Sequence, residues 1–178
     1  DIRAFLERQR PYGVVLLPPI SERDSLAELC REFDCRYVRM GSVQLDDAEH
    51  VVSSNDREAV RDAVTYLIDK GHTRIALIEG PEGFTSPRER RAGFEEAMER
   101  AGLELDESLI RPGSYTFESG VTAAEDLMAK GMNATAIFAC NDEMAIGAMI
   151  ACRRHGLRIP EDVSIVGFDD TPLSSHIW

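Results

Sequence analysis

Along this chain, short runs of β-branched and other apolar residues alternate with segments whose apolar residues recur every three or four positions. Gly13-Val14-Val15-Leu16-Leu17 is an unbroken apolar run closed by Pro18-Pro19, the pattern of a strand buried on both faces. Ser25 to Phe33 repeats at helical spacing through Leu26, Leu29 and Phe33. A strand over 36–40, a polar loop to Glu49 and a short strand from His50 to Ser53 follow. Over 56–70, Ala59, Val60, Ala63, Val64, Leu67 and Ile68 share one helical face, and Gly71 stands where a left-handed residue ends a helix. The remainder predicts a strand over 74–79, a helix over 87–101, a strand near 109–111, a helix over 118–130, a strand over 135–140, a helix over 142–155 and a strand over 163–168. Gly102, Gly131 and Gly156 close the three helices. Strands alternating with helices of this length are the signature of βαβ units, so the fold class is α/β, doubly wound around parallel sheet. One sheet of about eight strands fits the alternation, and so do two smaller lobes joined near Gly71 and His72.

Charge narrows the function. Twenty Lys and Arg against thirty-two Asp and Glu give a net charge of −12. Such a surface is repelled by a phosphate backbone and by anionic lipid, so these residues are expected to bind neither nucleic acid nor membrane. No stretch approaches the ~18 consecutive apolar residues of a membrane span. The four cysteines, Cys30, Cys35, Cys140 and Cys152, form no C-x-x-C, and two of them lie inside apolar runs. Reduced thiols and a cytoplasmic location are expected. The opening DIRAFLERQR is charged and amphipathic, not a secretory leader. It begins mid-helix, and the chain stops at Ile177-Trp178, as a piece of a longer protein does.

The search for chemistry eliminates more than it finds. No Walker loop, G-x-G-x-x-G or nucleophile elbow occurs, and Gly80-Pro81-Glu82-Gly83 would set a carboxylate against any phosphate. His50, His72, His155 and His176 are scattered, so no metal site and no cofactor is expected. Asn133-Ala134-Thr135 matches the glycosylation sequon by chance. What remains is polar residues just beyond strand ends: Phe84, Ser86, Arg88 and Arg90 after one strand, Asn141 and Asp142 after the next, Asp169 and Asp170 after the last. In open α/β sheets ligands bind outside the carboxyl ends of strands. Forked Arg donors with Asn and Asp acceptors suit the vicinal hydroxyls of a sugar or the edge of a nucleobase. Phe84, Tyr115, Phe117 and Trp178 could stack on a ring face. The same residues also fit plain structural roles. Ser86-Pro87-Arg88-Glu89 and Asn55-Asp56-Arg57-Glu58 read as capping boxes, Asn141 or Asp142 as a cap, and Asp169 and Asp170 as turn residues.

Four segments together resemble the bacterial LacI/GalR family of transcriptional regulators. They are Gly71-His72-Thr73-Arg74-Ile75-Ala76; Ser86 through Arg90-Arg91-Ala92-Gly93-Phe94 with Ala101-Gly102-Leu103; Thr135 through Asn141-Asp142-Glu143-Met144-Ala145-Ile146-Gly147; and Ile159-Pro160-Glu161-Asp162-Val163-Ser164-Ile165-Val166-Gly167-Phe168-Asp169-Asp170. The resemblance implies a periplasmic-binding-protein-like core of two lobes, residues 1–70 and 71–178, with an effector between them. It implies that the helix-turn-helix reading operator DNA lies outside this chain. Carried over residue by residue, Arg90, Asn141 and Asp169 hold the effector, Ser86 adds a polar contact, and Tyr115 stacks on a sugar. Phe84 remains the other candidate aromatic. In the first lobe the family often has Asp where this chain has Ser54, so Asn55 or Asp56 is the expected substitute.

The implied function is a non-enzymatic sensor, the effector-binding and dimerisation part of a repressor-type regulator, taking a sugar or else a nucleobase. A transporter's periplasmic sugar-binding protein shares the fold. An α/β enzyme or phosphoacceptor using Asp169 and Asp170 is the rival of another class. The helix over 142–155 is apolar beyond the stripe of roughly 100° that one sheet contact needs. A helix buried between two layers would look the same. The resemblance implies instead a homodimer packed through Ile146 and Ile150, with Ile177 alongside.

Overall fold

A computed structural model describes residues 2–42 and 50–177, so the polar loop expected up to Glu49 and the aromatic Trp178 lie outside the described residues. Seven strands and six α-helices are found among them: α1 (Ile2–Gln9), β1 (Gly13–Leu16), α2 (Asp24–Glu32), β2 (Arg36–Gly41), β3 (Val51–Ser53), α3 (Asp56–Asp69), β4 (Ile75–Ile78), α4 (Thr85–Arg100), β5 (Ile110–Arg111), α5 (Phe117–Ala129), β6 (Ala136–Ala139), α6 (Asp142–Arg154) and β7 (Ser164–Val166). They form two parallel sheets, β1-β2-β3 and β5-β4-β6-β7. Every strand pair is parallel, as βαβ alternation requires. Two sheets, not one, resolve the choice that periodicity leaves open.

The chain divides into two compact units, residues 1–56 with 84–89, and residues 57–83 with 90–178. In the first, β2 alternates exposed and buried positions. Its inward Tyr37 joins Leu6, Ala27, Cys30 and Cys35 in a small core. Arg39, next inward on β2, is 1% exposed; its Nε donates to the Ser21 carbonyl at 2.6 Å and its guanidinium meets Asp24 at 2.9 Å. That bond ties the turn after β1 and the start of α2 to the sheet, because a buried guanidinium must find acceptors.

In the second unit, β4 and β6 are buried at every position, the mark of central strands covered on both faces. Val60, Val64, Leu67, Phe94, Met98, Ala124, Leu127, Phe138, Met144 and Ala148 belong to one core. Burying Phe138 alone contributes roughly 2–3 kcal/mol. The apolar face of α3 lies in this core, so the chain passes between units at Asp56–Arg57 and not near Gly71. An amphipathic helix must bury its stripe, but the stripe does not name the sheet that receives it. Helices α5 and α6 cross in backbone contact at two glycines: a Cβ on Gly147 would stand 2.2 Å from the Phe117 carbonyl oxygen, and one on Gly120 would stand 2.2 Å from that of Met144.

Candidate functional site

Three parallel strands of the second unit, β4, β6 and β7, end side by side, and the residues just past them converge. Arg90 is the hub. It lies one turn into α4, 9% exposed, and donates to the Cys140 carbonyl at the end of β6. Its other terminal nitrogen stands 3.5 Å from the Asp169 carboxylate, which is 38% exposed. The guanidinium carbon sits 4.0 Å from the centroid of the Phe168 ring and 5.6 Å from that of Tyr115. A charged group so enclosed is held by a carboxylate, a carbonyl and two π faces. Asp169 remains open enough to accept from a hydroxyl outside.

Asn141 and Asp142 hold the frame. Asn141 is the N-cap of α6: its Oδ1 accepts from the Met144 amide at 2.9 Å, and its Nδ2 donates to the Tyr115 carbonyl at 3.0 Å. One amide thus fixes both the helix start and the loop carrying Tyr115. Asp142 accepts from the backbone N–H and hydroxyl of Thr171 at 2.7 and 2.9 Å, pinning the loop after β7 on which Asp169 stands. Tyr115, Asp169 and Asp170 all have positive φ, at 62°, 101° and 53°. Non-glycine residues in that region carry strain, and three of them lie beyond strand ends of this unit. Gly80 makes room for Tyr115: a Cβ there would stand 2.5 Å from the ring.

Arg90, Asn141, Asp169 and Tyr115, expected from sequence as ligand residues, are therefore brought together in the second unit. Ser86, Phe84, Asn55 and Asp56 fall in the first. Ser86 is not the N-cap that its capping box suggests. Helix α4 begins at Thr85, whose amide donates to Glu22 at 3.2 Å, so Ser86 and Pro87 sit inside the first turn. Proline is tolerated there because first-turn amides lack helical partners in any case. Asn55 immediately precedes α3, and Asp56 is buried at its start. Phe117 opens α5, with Thr116 as its N-cap. Sequence reasoning missed Phe168, read as a strand end, and the anchoring role of Asp142. The signal for Phe168 was the Phe-Asp-Asp run, which does not say which side chain stacks, and that for Asp142 was the Asn141-Asp142 pair, which reads as a helix cap. Asp170 accepts from the Ser174 hydroxyl at 3.3 Å. Among the described residues no three or more His, Cys, Asp or Glu side chains are grouped to hold a metal ion.

The expected interface residues lie elsewhere on this unit. Ile146, Ile150 and Ile177 are half-buried. Ile146 and Ile177 line a shallow apolar depression with Met149 and Ile165, beside the edge strand β7. Most of the apolar excess of α6 is spent inside the unit, on Met144, Ala148, Ala151 and Cys152. No helix among the described residues is long and apolar enough to cross a membrane.

Residues 64–177 match the family described as periplasmic binding protein-like domain. The HTH-type transcriptional regulator CelR of Thermobifida fusca is 37% identical over 97% of this chain and 51% of its own length. The ribose operon repressor of Escherichia coli (strain K12) is 34% identical over 97% of this chain and 52% of its own. A sugar-binding transcriptional regulator of the LacI family from Escherichia coli, solved with phosphate, aligns with a TM-score of 0.88 at 30% identity, covering 97% of this chain and 62% of that one. A complex of the regulator CelR with cellobiose aligns at 0.87 and 35% identity, covering 99% and 54%. The chain spans about half the length of the curated relatives it matches.

Proposed function

The chain belongs to the periplasmic binding protein-like domain family, in the form carried by LacI-family transcriptional regulators, and from that premise we propose that it is the effector-binding part of a cytoplasmic repressor-type regulator. Its effector is a small, uncharged polar ligand, a sugar before a nucleobase. The observation that carries this reading is the Arg90–Asp169 pair, with the Arg90 guanidinium against the Phe168 and Tyr115 rings where three strands end. A paired cation and anion present donors and an acceptor with no net charge, which matches vicinal hydroxyls better than a carboxylate or phosphate. Ser86, Phe84, Asn55 and Asp56 are proposed from the sequence as further ligand contacts. The relatives point the same way, one solved with cellobiose and another named for the ribose operon.

The mechanism is a population shift. A ligand preferring one arrangement of the protein changes the occupancy of that arrangement by its differential affinity, and a dimer transmits the change to DNA-reading heads. The dimer contact is assigned to Ile146 and Ile150 of α6, with Ile177. Contact with operator DNA is assigned to a helix-turn-helix of the kind for which CelR is named. Thermal-shift screening of cellobiose, ribose, other neutral mono- and disaccharides, and purines tests the ligand class. A sugar should raise the melting temperature in a concentration-dependent way. A purine alone doing so would replace the sugar assignment. No response from any of them would remove the site.

A further inference from the structure

Helix α2 ends in a cap that the chain repeats. The Cys35 amide donates to the Cys30 carbonyl at 2.8 Å, the Asp34 amide donates to that of Arg31 at 3.1 Å, and Asp34 has φ 51°. This is the Schellman arrangement, in which the side chains at the first and sixth positions meet on one side of the helix end. Helices α4, α5 and α6 close with the same six-residue bond, Leu103 to Met98, Met132 to Leu127 and Leu157 to Cys152. In each of those the meeting pair is packed in the apolar core. At α2 both members are thiols, and both lie in the first unit's small core with Leu6, Ala27 and Tyr37.

The two sulfurs differ in surroundings. Cys30 is 1% exposed; burial pushes its thiol above the usual range, and the neighbouring Cys35 adds to the shift. Cys35 is 6% exposed and lines a surface groove of about 550 Å³ with Glu7, Arg10, Pro11 and Phe33. Its thiol donates to the Pro11 and Arg36 carbonyls at 3.7 and 3.5 Å. Cys140 and Cys152 are each 0% exposed in the second unit.

We propose that Cys30 and Cys35 form a reversible redox pair, closing to a disulfide across the α2 cap when the protein meets a hydroperoxide. The Cys35 sulfur, as thiolate, attacks the terminal oxygen of hydrogen peroxide; the O–O bond breaks, hydroxide leaves and takes up a proton, and Cys35 becomes a sulfenic acid. The Cys30 thiolate then attacks that sulfur, the S–O bond breaks, and hydroxide leaves as water with the proton Cys30 gave up. Two thiols and one peroxide become one disulfide and two waters. The cross-link fastens the end of α2 to the entry of β2, four residues before Arg39, whose bonds already hold the start of α2.

Peptide mapping tests this directly. The protein is treated with hydrogen peroxide, blocked with an alkylating agent and cut with trypsin. The expected product is Asp24–Arg31 joined to Glu32–Arg36 and lost on prior treatment with dithiothreitol, while the peptide Gly131–Arg153 carries both of its cysteines alkylated. In Cys30→Ser, dimedone should trap a sulfenic acid on Cys35 that the parent protein does not accumulate. Recovery of Cys30 and Cys35 alkylated at a dose that fully oxidises glutathione would overturn the proposal. Oxidation of Cys140 or Cys152 at the same rate, or a disulfide linking two chains on a non-reducing gel, would also overturn it. The parent mapping needs no variant to fold.

Discussion

Replacing Gly147 with alanine probes the crossing of α5 and α6, which frames the candidate site from both sides. The added Cβ would stand 2.2 Å from the Phe117 carbonyl oxygen and 2.7 Å from the Val121 amide nitrogen. Both are backbone atoms of α5, so no side chain can rotate away. Restoring an ordinary contact of about 3.4 Å requires the helices to part by roughly 1.2 Å, and overpacking of this kind costs ~1–3 kcal/mol, with backbone obstruction at the upper end. Alanine is a better helix former than glycine by ~1 kcal/mol, which offsets part of that. A net loss of about 2 kcal/mol remains, or a fall in melting temperature of about 4–8 °C for a chain of this size. Urea unfolding followed by circular dichroism measures it. Because Asn141 and Tyr115 sit at the starts of the two helices, ligand affinity should fall as well. A Gly147→Ala protein that melts at or above the parent would mean that helix propensity wins, and that α5 and α6 do not cross in backbone contact.

Asn141→Ala removes the N-cap of α6 and the tie to the Tyr115 carbonyl. It should cost ~1–2 kcal/mol by chemical denaturation and weaken ligand binding, and an unchanged midpoint would contradict the capping role. Acid should destabilise the fold. Asp162 is held at about 2, against an ordinary 3.8, by side-chain and backbone hydrogen bonds from Arg158, and Asp106 and Asp126 are lowered in the same direction by Ser108 and Arg74 and by Lys130 and Arg111. Carboxyls whose folded pKa lies below the unfolded one stabilise fully above about pH 4 and lose that contribution as pH falls toward about 2, so the melting temperature should drop across that window. A melting temperature that holds or rises there would contradict the pairing. Ile146→Asp should give a folded monomer by light scattering at a concentration where the parent is dimeric, and a variant that stays dimeric places the interface elsewhere.

Periodicity made the elements legible because each rests on local spacing. The stripe through Val60, Val64 and Leu67 declares α3 wherever it packs, and Gly102, Gly131 and Gly156 end the helices before them. The sheet that receives α3 was not legible, since an apolar face carries no address; the unit boundary therefore falls near Asp56 and not Gly71. Arg90, Asn141 and Asp169 could be named as candidates because each follows a strand at the edge where α/β sheets bind ligands. Phe168 could not, nor could the placing of the Tyr115 ring beside Arg90. Stacking depends on where a ring lands after folding, and the place of Tyr115 depends on an absent side chain at Gly80. Ser86 misled because its pattern is a genuine capping signal two residues late: α4 starts at Thr85, and Pro87 does no harm inside the first turn.

Arg90 carries the central claim, and complete removal is a blunt probe, since it would leave the Cys140 carbonyl and Asp169 without their buried donor. Arg90→Lys keeps the charge and loses the planar fork and its stacking on Phe168. Isothermal titration of parent and variant with the sugar giving the largest thermal shift is the most direct measurement. Loss of a charge-assisted contact worth ~1.5–3 kcal/mol should weaken binding roughly 10- to 100-fold, while the unliganded melting temperature moves by a few degrees at most. Equal affinity in the two proteins would contradict the assignment of Arg90 to the effector and leave it a structural residue.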